Sequence, residues 1–175
     1  MSCAQIVTLI MDASRTQGSM TGQEERDVLF ARLFGLTAVI QSGLIIRDSP
    51  LASSASSSTT ASDSAAFATV VSHLLSLSDS KSWLRESAWW SLGLAAECLG
   101  SSNVPWREEA LDSLIENIYV KDKTWTPEKV ALTVKLQRCS PSFDWKKVLS
   151  PTLRHPEVLA SANFPILAKI LKVAT

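Results

Sequence analysis

The sequence QEERDVLFARLFGLTAVIQSGL, residues 23–44, has apolar side chains around nearly the whole circumference of a helix. At about 100° per residue, these side chains fall on three neighbouring faces. The first face carries Leu29, Leu33, Leu36, Ile40 and Leu44, the second carries Phe30, Phe34 and Ala38, and the third carries Ala31, Gly35 and Ser42. A helix that is apolar on several sides needs neighbours on several sides. The pattern therefore predicts an inner helix of a stacked helical array.

Both ends of this helix are marked by local motifs. Thr21 followed three residues later by Glu24 has the spacing of a capping box, in which each residue satisfies a backbone N–H of the first turn. Gly43 stands where a residue in the left-handed conformation would end the helix. The sequence therefore predicts a helix that begins after Thr21 and ends before Gly43.

The composition favours one helical domain without a global attraction to nucleic acid. Of the 175 residues, 46% are hydrophobic and 19% are charged, which is enough for one core. Lys plus Arg and Asp plus Glu balance at 17 each, so binding to an anionic surface would need a local patch. No apolar run reaches the ~18 residues of a membrane span. The widely separated Cys3, Cys98 and Cys139 argue against a disulfide framework and against a CxxC-type metal site, and favour buried thiols in a reducing compartment.

A serine-rich segment, residues 49–66, follows the first long helix. It holds eight serines and two threonines and has almost no bulky apolar residue. Because such a segment cannot bury enough apolar surface to offset the entropy of ordering, it is predicted to be a flexible loop. Neither flank is large enough to close a core convincingly, so residues 1–175 are interpreted as a single helical-repeat segment of a larger protein that contains this loop.

Three further helices follow from the apolar spacing. The first, ending near Ser78, is apolar on one side at Phe67, Val70, Val71, Leu74 and Leu75. The second runs from Ser82 to Gly100 and has two apolar stripes, one at Trp83, Ser87, Trp90, Leu94 and Cys98 and one at Leu84, Ala88, Leu92, Ala95 and Leu99. The third has one buried face at Ala110, Leu111, Leu114, Ile115 and Ile118.

The last third of the chain is harder to interpret. Thr126, Pro127 and Glu128 form a good helix start, because they supply a capping hydroxyl, a proline in the first turn and an acid near the helix N-terminus. Apolar residues at 130, 132, 134 and 136 alternate as they would in a strand, but the cap and the helical surroundings favour a helix. A final helix is predicted around 166–171.

Helices in antiparallel pairs, with inner helices apolar on two faces, predict an all-α fold. The architecture favoured is an armadillo or HEAT-like helical repeat, an α-solenoid. No clean repeat occurs at the ~40-residue period of such units, so a compact irregular bundle remains the alternative.

Catalytic and metal-binding arrangements are not evident. His73 and His155 are the two histidines, and both are interpreted as solvated surface residues. Glu24, Glu25 and Asp27 open one helix and Glu108 and Glu109 open another, where acids complement the helix dipole rather than hold paired metal ions. We therefore expect no enzyme activity, no cofactor, no metal and no small-molecule substrate.

Two sets of residues are candidates for binding. Trp89 lies near Arg85 and away from both apolar stripes of its helix, so it is expected to contact an adjoining repeat or, together with Arg85, a partner surface. Most of the other five tryptophans are expected in the core. A weak basic patch comprises Lys146, Lys147, Arg154, Lys169 and Lys172, which would be a solvated face or would contact phosphates along a groove.

Four stretches in order carry a family resemblance: RDVLFARLFGL at 26–36 with QSG at 41–43, KSWLRES at 81–87, TPEKVAL at 126–132 with LQ at 136–137, and LAKIL at 167–171. With them the chain resembles the DNA polymerase phi family of large nucleolar proteins, also called Myb-binding protein 1A-like. The resemblance implies an interior segment of the helical-repeat region of such a protein. It brings no catalytic residue onto any position of this sequence.

The resemblance further implies a nuclear, nucleolar role in ribosomal RNA gene transcription and ribosome biogenesis. The first hypothesis is a scaffold that binds proteins of the nucleolar transcription or ribosome assembly machinery. The alternative is a transcription regulator that binds ribosomal DNA or RNA directly through a basic groove of the solenoid. No membrane partner is expected.

Overall fold

The computed structural model describes residues 3–15, 18–43, 45–46, 57–121 and 127–153, together with positions 165 and 168. These residues contain helices and no strand, so the predicted all-α fold is confirmed. In chain order the helices are α1 (Cys3–Ala13), α2 (Gly22–Gln41), α3 (Ser57–Ser80), α4 (Ser82–Gly100), α5 (Arg107–Lys121), α6 (Pro127–Cys139) and α7 (Trp145–Leu153). The helix predicted around 166–171 lies outside the described residues apart from position 168.

Both predicted ends of α2 are confirmed. The backbone N–H of Glu24 donates to the Thr21 hydroxyl at 3.3 Å, and the backbone N–H of Thr21 donates to the Glu24 carboxylate at 2.8 Å. At the other end Gly43 has a φ of 66°, the left-handed conformation that a side chain would disfavour. These ends depend on neighbouring residues alone, which is why the sequence predicts them well.

Only part of the predicted burial of α2 is found. The stripe that includes Leu29, Leu33, Leu36 and Ile40 is buried, as predicted. The second stripe was expected to be buried as well, and that is wrong: Phe34 is 65% exposed and Ala38 is exposed. The neighbours of α2 are α1, α3 and α4, and they leave this side open. The small-residue face packs on α1, because a Cβ added at Gly35 would lie 2.9 Å from Ile10 Cγ2.

The predicted flexible loop over residues 49–66 is wrong for residues 57–66, which form the first turns of α3. Residues 49–56 lie outside the described part of the chain. Extending a helix that already exists costs far less than starting one, and alanine is the best helix former. Ala66, four residues before Val70, continues the buried side of the helix at 4% exposure, whereas Ala61 and Ala65 lie on its exposed side. Helix α3 therefore extends towards the N-terminus through a serine-rich sequence, as far as Ser57.

The two adjacent tryptophans of α4, Trp89 and Trp90, both differ in burial from what the helical wheel predicts. The stripe of Leu84, Ala88, Leu92, Ala95 and Leu99 is fully buried, as predicted. The neighbouring stripe is at most partly covered, since Trp83 is 37% exposed and Trp90 is 56% exposed. Their expected burial in the core is wrong. Trp89, by contrast, is only 5% exposed and belongs to the core.

The helices contact one another in an alternating order. One layer contains the odd-numbered helices, in which α1 contacts α3, α3 contacts α5 and α5 contacts α7. The other layer contains α2, α4 and α6, in which α4 contacts both of the others. Contacts between the two layers join α1 to α2, α2 to α3, α3 to α4 and α4 to α5. The predicted buried face of α5 is confirmed, with Leu111, Leu114, Ile115 and Ile118 all inaccessible. The predicted helix at α6 is also confirmed. This two-layer order is the one expected of stacked helical hairpins, while the armadillo or HEAT-like solenoid remains a prediction.

Candidate interaction surface

Exposed aromatic side chains gather where α2 meets the start of α4. The ring centres of Phe30 and Phe34 are 6.1 Å apart, and those of Phe30 and Trp83 are 5.1 Å apart. Trp90 lies seven residues after Trp83, on the same side of α4 and about 10.5 Å further along its axis. We call Phe30, Phe34, Trp83 and Trp90 the aromatic face. Tryptophan and other large aromatic residues are enriched at protein interfaces, so this face is the best candidate binding surface in the described residues.

Charged side chains hold one end of the aromatic face in place. The guanidinium carbon of Arg26 lies 5.8 Å from the centre of the Trp83 ring, a cation–π distance. Beside it, Lys81 and Glu25 form an ion pair of 2.9 Å between the residue that precedes α4 and the first turn of α2. Each contact is weak at an exposed position. Together they limit the conformations of Trp83 before any partner arrives.

A hollow of about 170 Å³ lies beside Trp90, between α4 and α6. It is lined by Glu86, Trp89, Trp90, Gly93, Ala131, Leu132 and Lys135. The Lys135 ammonium group lies 3.3 Å from the Glu97 carboxylate, whereas Glu86 has no ion pair with another described residue. An indole wall next to an unpaired carboxylate can accept an aliphatic or a cationic side chain from a partner.

Trp89 lies outside the aromatic face and is only 5% exposed, although its ring lines the hollow, so a role of Trp89 in partner binding stays a prediction. Its ring packs inside the α4–α6 interface, where the ammonium group of the fully buried Lys129 lies 5.8 Å from the ring centre. The alternative expectation, contact with a neighbouring part of the helical array, agrees with this position. Arg85 is half-buried and its Nε lies 3.4 Å from the Ser78 carbonyl oxygen, near the end of α3. A role of Arg85 in partner binding stays a prediction.

A sequence signal for the exposed side of α4 existed. Trp90 is four residues from Glu86 and seven from Glu97, so acids flank it on its own side of the helix. At the same two spacings, Trp89 has Arg85 and Ala96 and no acid. Since an exposed acid marks the solvent side more reliably than an aromatic marks the core, Glu86 and Glu97 were the better guide.

The predicted basic patch is only partly within the described residues. Lys146 and Lys147 are exposed on α7, and Arg154, Lys169 and Lys172 lie outside the described part of the chain. Lys147 Nζ lies 3.6 Å from a carboxylate oxygen of Glu116 on α5, so an acid partly neutralises it. The structure therefore does not bring the five residues together as one described surface.

The acidic, histidine and thiol side chains of the described ranges do not gather as metal ligands would. No three residues among His, Cys, Asp and Glu there lie close enough to hold a metal ion. His73 is half-buried rather than freely solvated, and burial followed by the charge of Arg32 lowers its pKa. Cys98 and Cys139 are free thiols, and burial followed by the nearby Glu97 carboxylate raises the pKa of each. His155 lies outside the described residues.

No helix within the described ranges combines the length and the apolar character needed to cross a bilayer.

Comparison with known proteins places the chain in a family. It is similar to the rDNA transcriptional regulator pol5 of Schizosaccharomyces pombe, with 27% identity over 173 residues, which are 97% of this chain and 16% of that protein. The chain thus spans only a small part of the length of the curated relative it matches. No solved structure matches the chain. The family model described as DNA polymerase phi matches residues 1–175, and the protein therefore belongs to the DNA polymerase phi family.

Proposed function

We propose that this chain is a helical-repeat scaffold segment of a nuclear, nucleolar protein that acts in ribosomal RNA gene transcription and ribosome biogenesis. Its partners are proteins of the transcription or ribosome assembly machinery, and its role is not catalytic. Two findings support this proposal: the aromatic face, and the similarity to a relative whose name describes a regulator of rDNA transcription.

The observation that carries the scaffold role is the exposure of Trp90 and Phe34. A tryptophan that is 56% exposed and a phenylalanine that is 65% exposed leave large apolar areas in water. Burying such area against a partner is favourable by roughly 25 cal/mol per Å². Contiguous apolar patches of this kind mark interaction sites more often than single scattered residues do.

The proposal is tested with the full-length protein that contains this chain. We would replace Phe34 and Trp90 together by serine and compare the result with Leu9→Ser, because Leu9 is a 54% exposed apolar residue on α1 and lies off the aromatic face. Proteins retained from a nuclear extract and the synthesis of ribosomal RNA precursor would be measured for each variant. We expect the double variant to lose both and Leu9→Ser to keep both.

Treatment of the extract with nuclease distinguishes the second candidate function, direct binding of DNA or RNA through Lys146, Lys147, Arg154, Lys169 and Lys172. Retention that survives nuclease supports the protein scaffold. Retention that disappears with nuclease and persists in the Phe34 and Trp90 variant contradicts it and favours the basic groove. Binding to phosphates would also weaken steeply as the salt concentration rises.

A further inference from the structure

A second concave surface lies in the other layer of helices, between α3 and α5. It is a groove of about 300 Å³. Its apolar side chains include Phe67, Val71 and Leu114, which are at most 6% exposed and form its floor. The side chains along its edges are small, among them Ala68 and Ser72 on α3 and Ser113 on α5. Small edges above an apolar floor leave room for a third helix to approach closely.

The rim of this groove is acidic. Glu109 lines it directly, while Asp112 and Glu116 do not line the groove but lie beside Glu109 on the exposed side of α5. Burial, followed by the charges of Glu108 and Glu116, raises the pKa of Asp112. Glu109 and Asp112 have no ion pair with another described residue.

The opposite wall adds no positive charge to this rim. From Ser57 to Ser80, α3 contains Asp63 and Asp79 but no lysine or arginine. Two cations on neighbouring elements are already engaged: Arg107 pairs with Glu108 at 2.7 Å, and Lys147 lies 3.6 Å from Glu116. The groove is therefore negative although the whole chain has no net charge.

We propose that the α3–α5 groove binds an amphipathic helix of a protein partner whose polar face carries lysine or arginine. The apolar side of such a helix, spaced at i, i+3, i+4 and i+7, contacts the floor. Its cations lie opposite Glu109 on the rim and near Asp112 beside it on α5, where complementary charge speeds association and excludes wrong partners. Nucleic acid and acidic helices are repelled by the same carboxylates. This site is separate from the aromatic face, which lies on α2 and α4.

The test uses three designed peptides of about 18 residues, long enough to form a helix. The first has a leucine stripe flanked by lysines, the second has glutamate in place of each lysine, and the third is the lysine peptide with two central prolines. Binding to the 175-residue chain would be measured by fluorescence anisotropy at several salt concentrations. We expect the lysine peptide to bind at least about tenfold more tightly than either control and to weaken with salt.

Variants of the chain locate the binding. Glu109→Gln with Asp112→Asn removes two rim charges without changing shape and is expected to weaken binding about tenfold at low salt. Ser113→Trp fills the groove and is expected to weaken binding at every salt concentration. The matched control, Asp12→Asn with Asp27→Asn, removes two exposed acids on α1 and α2 that line neither the groove nor the hollow, and should leave binding unchanged.

Equal binding of the glutamate or proline peptide, no binding of the lysine peptide, or unchanged affinity in the rim variant would each overturn the proposal. If Ser113→Trp loses helix content by circular dichroism, the double variant Glu109→Gln with Asp112→Asn still tests the proposal, because it changes charge without changing shape. Replacing Phe34 and Trp90 by serine should not affect this binding, so the outcome is independent of the proposed scaffold function.

Discussion

The hydroxyl oxygens of Thr37 and Ser91 lie 2.8 Å apart inside the interface between α2 and α4. Each also lies within hydrogen-bond distance of a carbonyl in its own helix, Thr37 of Leu33 at 2.8 Å and Ser91 of Ser87 at 3.0 Å. The two hydroxyl groups have only two protons for these three possible hydrogen bonds. One hydroxyl therefore donates to the other across the interface, and the other donates to the carbonyl of its own helix. The pair thus joins two helices without leaving a buried donor unused.

Removing one of these hydroxyls is expected to have a modest cost. In Ser91→Ala, Thr37 still donates to the Leu33 carbonyl, so the loss is about 1 kcal/mol of unfolding free energy. Thr37→Val should cost a similar amount, and the double variant should cost less than the sum of the two. Urea denaturation measures all three. Thr69→Val is the control, because that exposed hydroxyl bonds only to Ala65 of its own helix; costs that simply add would contradict a direct contact.

The adjacent tryptophans of α4 should respond in opposite ways to truncation. Trp89→Ala removes a buried ring from the α4–α6 interface and is expected to cost about 3 kcal/mol or more of stability. Trp90→Ala removes an exposed ring and should change stability by less than about 0.5 kcal/mol. Thermal unfolding followed by circular dichroism compares them directly. A larger loss in Trp90→Ala than in Trp89→Ala would contradict the orientation of α4.

Gly35 is expected to be needed for the packing of α1 on α2. An alanine there would gain helix propensity of about 1 kcal/mol, but its Cβ would lie 2.9 Å from Ile10 Cγ2. Overpacking of this kind costs more than the gain, so Gly35→Ala should be destabilising by about 1 kcal/mol. Gly22→Ala, where no atom lies within 4 Å of the new Cβ, should instead be neutral or stabilising. Stabilisation by both changes would show that α1 does not pack on Gly35.

The capping box of α2 should make stability depend on pH in the acidic range. The backbone N–H of Thr21 and then its hydroxyl donate to the Glu24 carboxylate and lower its pKa. Because the pKa is lowered in the folded state, the contribution is present above the ordinary value of 4.5 and is lost as the pH falls through the folded value. Denaturation midpoints between pH 6 and pH 3 measure this. Glu24→Gln should remove this part of the pH dependence, and an unchanged profile would contradict the assignment.

The thiols of Cys98 and Cys139 should react slowly with alkylating reagents. Burial and the Glu97 charge raise the pKa of each thiol above the ordinary 9.0, so at neutral pH less thiolate, the reactive form, is present than in a free cysteine. Iodoacetamide labelling followed by mass spectrometry gives both rates. Glu97→Gln removes a negative charge that both thiols share and should speed both reactions; an effect on neither would contradict this account.

Features determined by neighbouring residues were predictable from the sequence. The capping box at Thr21 and the left-handed Gly43 fix the ends of α2 by contacts within a few residues. The proline and acid at the start of α6 identified a helix in spite of strand-like alternation. The start of α3 was missed because helix extension depends on the stability of the turns that follow, which serine content does not measure.

Features determined by distant neighbours were not predictable in the same way. A helical wheel shows that both stripes of α4 are apolar, but it does not show which one α2, α3, α5 and α6 will cover. The wheel therefore predicts Phe34 and Trp90 in the core and Trp89 outside both stripes, in contact with an adjoining repeat or a partner, whereas Phe34 and Trp90 are exposed and Trp89 is buried. The acidic groove needed α3 and α5 to be placed side by side, although they are separated by the whole of α4.

The alternating order of contacts also determines how the fold comes apart. Among the described helices, α3 contacts α1, α2, α4 and α5, and α4 contacts α2, α3, α5 and α6, so opening either of them disrupts both layers. Amide hydrogens of the 175-residue chain should accordingly exchange more slowly in α3 and α4 than in α1 and α7. Local opening would therefore begin outside the α3–α4 pair, which is the last part of the chain to lose its protection.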